Sequence, residues 1–428
     1  MKEFKALFGD VIYAPTKDEL KSIKDGYIVY DGENILGVFD SLPKEYENAE
    51  IIDYKGKVIM PSMVDLHVHA PQFVFRGLCV DLQLLEWLEK YAFPTESKFK
   101  DPAYARQIYS RVAKNIAREG TTRAVFFATI HNEATEILME ELNKVGISAY
   151  VGKVNMDRNS PDYLIETTED SAKNTEDFIL KTKDRYKYIK PIITPRFTPS
   201  CTDELSKELG KLARKYGVPA QSHLSENQSE IEWVHELEPD CKYYLDAYKK
   251  ADLFGDGIKT VMAHCVHMSD EELDEIKDSG VFIAHCPECN MNVASGIAPV
   301  RKMLNRGINV GLGSDIAGGY DLSIFKAMRH AVQVSKLKWL FEGKNDRFLT
   351  VTEAFYMATT GGAKFFGHKG GFGVGDPLHA LVIDDNELKI DQSLNDTAEE
   401  RLERIVNICD RTNIIATYSN GKEISNNL

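Results

Sequence analysis

Between residues 60 and 315 the chain alternates stretches of helical apolar spacing with short, continuously apolar runs. Five times a helical stretch ends in glycine and a β-rich run follows at once: Gly120 before 121–129, Gly146 before 147–156, Gly217 before 218–224, Gly280 before 281–286 and Gly307 before 308–314. Glycine just past a helix end supplies the left-handed conformation that stops the helix, so each pair predicts a helix feeding a strand. One helix can be read by spacing: Leu205, Leu209, Leu212, Ala213 and Tyr216 share a face, with Asp203 placed to cap the start. Runs at 64–69, 189–197 and 260–265 bring the strands to eight. Continuous rather than alternating apolar character predicts parallel strands buried on both faces. Eight βα units in about 250 residues predict a TIM-type (β/α)8 barrel. A doubly wound open sheet is the alternative, because closure is not written in the pattern.

The two ends read differently. Residues 1–59 and 374–428 carry short β-type runs at 27–30, 380–383 and 414–418, punctuated by Asp31-Gly32 and Asn420-Gly421. The termini are therefore expected to meet as one small β-sandwich-like domain beside a barrel spanning 60–373. A chain of 428 residues fits two or three such units.

Composition narrows the function classes. With 43% hydrophobic and 28% charged residues the chain is of ordinary globular type. A net charge of −14 disfavours nucleic acid and anionic membranes as partners. The most basic stretch, 181–190, is interrupted by Asp184 and aromatics and reads as an exposed helix end. The start, Met1-Lys2-Glu3-Phe4-Lys5, lacks the apolar core of a signal peptide, and no 18 apolar residues run together, so a cytoplasmic protein is expected. Cys79, Cys201, Cys241, Cys265, Cys286, Cys289 and Cys409 are odd in number, without framework spacing, and are expected to be reduced thiols.

The candidate chemistry sits at strand ends. In His67-Val68-His69 the side-chain alternation of a strand points both imidazoles the same way. His223, His264 and Asp315 end the fifth, sixth and eighth runs, so residues far apart in sequence converge on one mouth of the barrel. Neutral imidazoles with a carboxylate suit zinc or ferrous iron, with room for a bound water. The bland alternative is a set of satisfied core histidines and a helix-capping aspartate. Glu226, three residues beyond His223, is placed to shuttle protons, or else simply begins the helix carrying Ile231 and Trp233. Arg196 ends the fourth run in Thr194-Pro195-Arg196-Phe197. That run ends without a lysine to bridge two metals, so one metal is expected. His131 and His285 are read as supporting or structural, and His235, His267, His330, His368 and His379 as ordinary. Cys286-Pro287-Glu288-Cys289 has a knuckle's spacing but no second cysteine pair to complete a zinc site.

These motifs resemble the amidohydrolase superfamily: Pro61-Ser62-Met63-Val64-Asp65-Leu66-His67-Val68-His69 opening the barrel, His223, His264, and Gly311-Leu312-Gly313-Ser314-Asp315. Narrower stretches are similar to the guanine deaminase family within it. These are His69-Ala70-Pro71-Gln72, Leu84-Leu85-Glu86-Trp87, Phe93-Pro94, Val151-Gly152-Lys153-Val154, Thr194 to Phe197, Ser222 to Asn227, and Asp315-Ile316-Ala317-Gly318-Gly319. The resemblance implies that His67, His69, His223 and Asp315 hold one Zn2+, or Fe2+, with His264 on the bound water or as a further weak ligand. It implies Glu226 as proton shuttle and Gln72, Arg196, Phe197 and Trp87 against the base, with Arg196 donating to its carbonyl edge. In adenine that donor would lack its acceptor, which implies selectivity. The implied reaction is hydrolysis of guanine to xanthine and ammonia in a homodimer. Two alternatives stay open: an amidohydrolase acting on another purine-like, pterin or triazine ring, and an inactive barrel kept as a binding module. The chain departs from the family pattern at Pro377-Leu378-His379-Ala380 and at Glu288 and Cys289, where small polar residues are commoner.

Overall fold

The computed structural model describes residues 4–78, 81–391 and 396–425. Its central part is two four-stranded parallel sheets. One runs Met63–His69, Thr121–Phe127, Ser148–Gly152 and Ile189–Pro191; the other Ala220–Leu224, Thr260–His264, Phe282–His285 and Asn309–Leu312. Nearly every residue of these strands is buried, which is why the sequence lacks a period-two pattern there. A parallel bridge at Ile193 and Ala220 joins the two sheets on one side. On the other, the Asp315 amide donates to the His67 carbonyl at 2.9 Å and the Ser314 amide to Asp65 Oδ1 at 3.0 Å. Gly120, Gly146, Gly217, Gly280 and Gly307 all take positive φ, as the helix-stop reading requires.

Several local expectations change. The helix Asp203–Tyr216 is capped by Thr202, whose hydroxyl accepts from the Leu205 amide, so Asp203 lies in the first turn rather than at the cap. The 189–197 run is broken into Ile189–Pro191 and Thr194–Pro195, because Pro191 and Pro195 lack ladder donors.

Strands from both ends form a seven-stranded sheet in the order Lys422–Glu423, Ile414–Ser419, Ala380–Ile383, Glu50–Pro61, Lys5–Thr16, Glu19–Tyr30, Ile35–Phe39. It is longer-stranded than the sequence implied, since charged residues break up the apolar pattern of the Glu19–Tyr30 and Glu50–Pro61 strands. Leu7, Val11, Ile28, Ile59, Val382 and Tyr418 make its own apolar cluster. The C-terminal part also holds a helix, Ala398–Ile408, that the β-type reading missed. Its Leu402, Ile405 and Val406 pack into the cluster beneath the second parallel sheet. The six described cysteines are free and buried; Cys79 lies outside the described residues. Among the described residues, no helix is long and apolar enough to cross a membrane.

Candidate active site

The carboxyl ends of the parallel strands converge. His67 and His69, both on Met63–His69, come within 3.3 and 3.7 Å of Asp315 Oδ1 through their Nε2 atoms. His69 Nε2 lies 3.0 Å from His223 Nε2, and the His67 and His223 rings stand 4.8 Å apart at 88°. The ligand atoms of His67, His69 and Asp315 form one tight trio, and those of His67, His223 and His264 another, each within 4.8 Å. His264 Nε2 is 3.4 Å from Glu226 Oε2 and 3.6 Å from Asp315 Oδ2. His264 and Asp315 adopt left-handed backbone (φ 73° and 47°), and strain of this kind tends to gather at functional sites.

Hydrogen bonds fix the rings. A carbonyl can only accept, so the 2.5 Å contact of His223 Nδ1 to the Arg196 carbonyl puts the proton on Nδ1 and the lone pair on Nε2. His264 Nδ1 is oriented in the same way by Asn290 Oδ1 at 2.9 Å. Burial, then the neighbouring His67, holds His69 and His223 well below the usual histidine range, so both stay neutral. Burial alone would raise Asp315, but the His67 ring, helped by His264 and His69, outweighs it and keeps the carboxylate ionised. His67 Nε2 and His264 Nε2 are buried without a hydrogen-bond partner. Neutral rings with inward lone pairs beside a carboxylate are the donor set a divalent cation takes, and they fit one here.

Glu226 follows the strand Ala220–Leu224 and precedes the helix Gln228–Leu237. The helix is capped by Asn227 and Glu230, which frees Glu226 from the capping role. Ser295 Oγ donates to Glu226 Oε1 at 3.0 Å, leaving Oε2 toward His264. Burial, then the charge of Asp315, pushes the Glu226 carboxyl up to about 8.

The far side of the cavity is polar in another way. Arg196 does not stand free: its guanidinium makes a bidentate pair with Glu96 at 2.6 and 3.0 Å, both side chains being almost wholly buried. Gln72 donates to Glu96 Oε1 at 2.9 Å and accepts from the Ala317 amide at 3.1 Å. Leu84, Trp87, Leu88, Phe197 and Val293 close the space, together with Gln72, Arg196, Glu226 and the histidines. Tyr91, one turn beyond Trp87, lies outside that lining, its ring tilted at 38° to that of Phe75. The cavity is small, about 30 Å³, and Leu84, Trp87 and Leu88 from the segment after the first strand form one of its walls.

Residues 58–424 match the model of the Amidohydrolase family. The chain belongs to the amidohydrolase family. It is 43% identical to guanine deaminase of Dictyostelium discoideum over 384 residues, 88% of this chain and 85% of that one. It is 41% identical to guanine deaminase of Mus musculus over 424 residues, 95% of this chain and 92% of that one. Its fold is similar to a crystal structure of guanine deaminase from C. acetobutylicum with bound guanine, at 47% identity and TM-score 0.95, covering 98% of this chain and 100% of that one.

This amidohydrolase also places residues that the sequence reading passed over. Asp65 was quoted in a motif without a role; its Oδ1 accepts from the amides of both His67 and Ser314, tying the first strand to the last beside the site. Asp-x-His-x-His is the signal that could have found it. Ser295 comes from a loop, Asn290 from the short helix Pro287–Asn292 and Glu96 from the helical turn Phe93–Glu96, none with such a signal. Cys286 and Cys289 do border the site, Cys289 Sγ lying 3.8 Å from Glu226 Oε1, but burial raises both thiols well above their usual range. As protonated thiols they are poor ligands beside the histidines. His285 packs with its ring buried against the neighbouring helices, and His379 bonds Thr122 at 2.8 Å.

Proposed function

We propose that this chain hydrolyses guanine to xanthine and ammonia. The observation that carries the reading is a cavity with a histidine and aspartate cluster at one end and an Arg196, Gln72 and Glu96 network at the other. A relative that shares 47% of its residues across 98% of the chain is described with guanine bound. His67, His69, His223 and Asp315 would hold one cation per chain, zinc with ferrous iron as the alternative. Such a cation lowers the pKa of a nearby water from about 15.7 toward roughly 7.

The chain's own groups do the rest. Asp315 takes the proton of the attacking water, and His264, between Glu226 and Asp315, orients that water. Glu226 enters protonated, gives its proton to a ring nitrogen, and so makes the amino-bearing carbon electrophilic. The C–O bond forms, the C–N bond breaks, and a proton relayed through Glu226 leaves with ammonia. Gln72, Arg196, Phe197 and Trp87 hold the base, and Leu84, Leu88 and Val293 keep bulk water out.

The same reading takes the two parallel sheets as one (β/α)8 barrel over 60–373, beside a small β domain built from 1–59 and 374–428. It is supported by the Ile193 bridge on one side and the Asp315 to His67 bond on the other. It includes a homodimer, as the resemblance implies, in the cytoplasm, as the N-terminal composition suggests. Incubating the protein with guanine should release ammonia and xanthine in equal amounts. No release from guanine, with release from a pterin or triazine, would overturn the substrate assignment.

A further inference from the structure

Arg196 is the one lysine or arginine among the described residues lining the cavity, and its charge does not reach the substrate uncompensated. Glu96, on the turn Phe93–Glu96, lies behind it rather than in the lining, and takes two guanidinium hydrogens in a fork. The same carboxylate holds the Gln72 amide, whose other end is fixed by the Ala317 backbone, while the Phe93 ring lies 5.0 Å from the guanidinium. One buried carboxylate thus orients both polar groups assigned to the base and cancels the cation between them.

Resting on the reading of this cavity as a purine site, we infer that Glu96 is a positioning residue that sets the charge selectivity of the pocket. Arg196 keeps donors for a ring carbonyl, yet the Arg196 and Glu96 pair is neutral as a unit. A neutral oxopurine gains the hydrogen bonds without a charge penalty. An anionic oxopurine of the same shape meets no net positive charge and feels the buried carboxylate close behind. Because adding oxygen to a purine ring makes it more acidic, the deaminated product is a stronger acid than the substrate. Glu96 therefore disfavours retention of the deprotonated product while leaving substrate binding intact.

The test is calorimetric binding of two non-substrate purines to the metal-loaded protein near neutral pH: hypoxanthine, which is neutral there, and urate, an anion. The unmodified protein should prefer hypoxanthine. Glu96→Gln, which keeps the size and one acceptor but removes the charge, should shift the affinity ratio toward urate by roughly tenfold or more. Glu96→Asp should restore the original preference, which a purely structural role would not require. Metal content and melting temperature of each variant establish that it is folded. A preference for urate in the unmodified protein overturns the inference even if Glu96→Gln does not fold. An unchanged ratio in folded Glu96→Gln, with guanine still turned over by the unmodified protein, overturns it alone. Failure of both purines to bind, with guanine still turned over, overturns the inference alone; absence of guanine turnover overturns the proposed function with it.

Discussion

The two sides of the cavity are built on different scaffolds. On one side His67, His69, His223, His264 and Asp315 sit at the ends of buried parallel strands, with rings turned by the Arg196 carbonyl and Asn290. On the other, Gln72, Trp87, Leu88 and Glu96 come from short turns between residues 70 and 96. The strand side cannot shift without breaking ladder bonds. The turn side covers a cavity of about 30 Å³. The difference teaches that chemistry needing fixed distances is placed at the strand ends, while recognition draws on both scaffolds, Arg196 and Phe197 following a strand and Gln72 and Trp87 coming from the turns.

That contrast can be broken or sharpened by five substitutions. Glu226→Gln should lower kcat on the order of 10²-fold or more with metal content unchanged, measured by xanthine formation and metal analysis; near-normal turnover would remove Glu226 from the proton path. Asp65→Ala leaves the amides of His67 and Ser314 without their acceptor and should cost about 2 kcal/mol or more of stability in urea unfolding. A loss no larger than a surface substitution would mean that the frame does not depend on this tie. Trp87→Ala should act on the turn side, raising KM for guanine by roughly tenfold while the metal stays bound. If kcat and metal content fell instead, the two sides would not be separable. The smallest effect concerns the frame's helices. Thr202→Ala should cost about 1 kcal/mol and Asp203→Ala only a few tenths, and the reverse order would restore Asp203 as the cap.

The same division explains what could be read in advance. Strand ends were legible because glycine stops and continuous apolar runs mark them, and because His67 and His69 alternate on one strand. Glu96 was not legible: a glutamate near the end of a short turn looks like any exposed carboxylate until Arg196, a hundred residues later, folds against it. Ser295, in a loop, and Asn290, in the short helix Pro287–Asn292, are ordinary polar residues whose meaning lies in what they touch. The Glu19–Tyr30 and Glu50–Pro61 strands were under-read because charged residues break their apolar runs, and the helix Ala398–Ile408 because few apolar positions carry its buried face.

The central claim is that one cation is shared by four distant side chains at the strand ends. Anomalous diffraction from crystals of the zinc-loaded protein tests it most directly. The account predicts a single strong peak among His67, His69, His223 and Asp315. A peak at the Cys286 and Cys289 thiols, or none at the histidines, would contradict it.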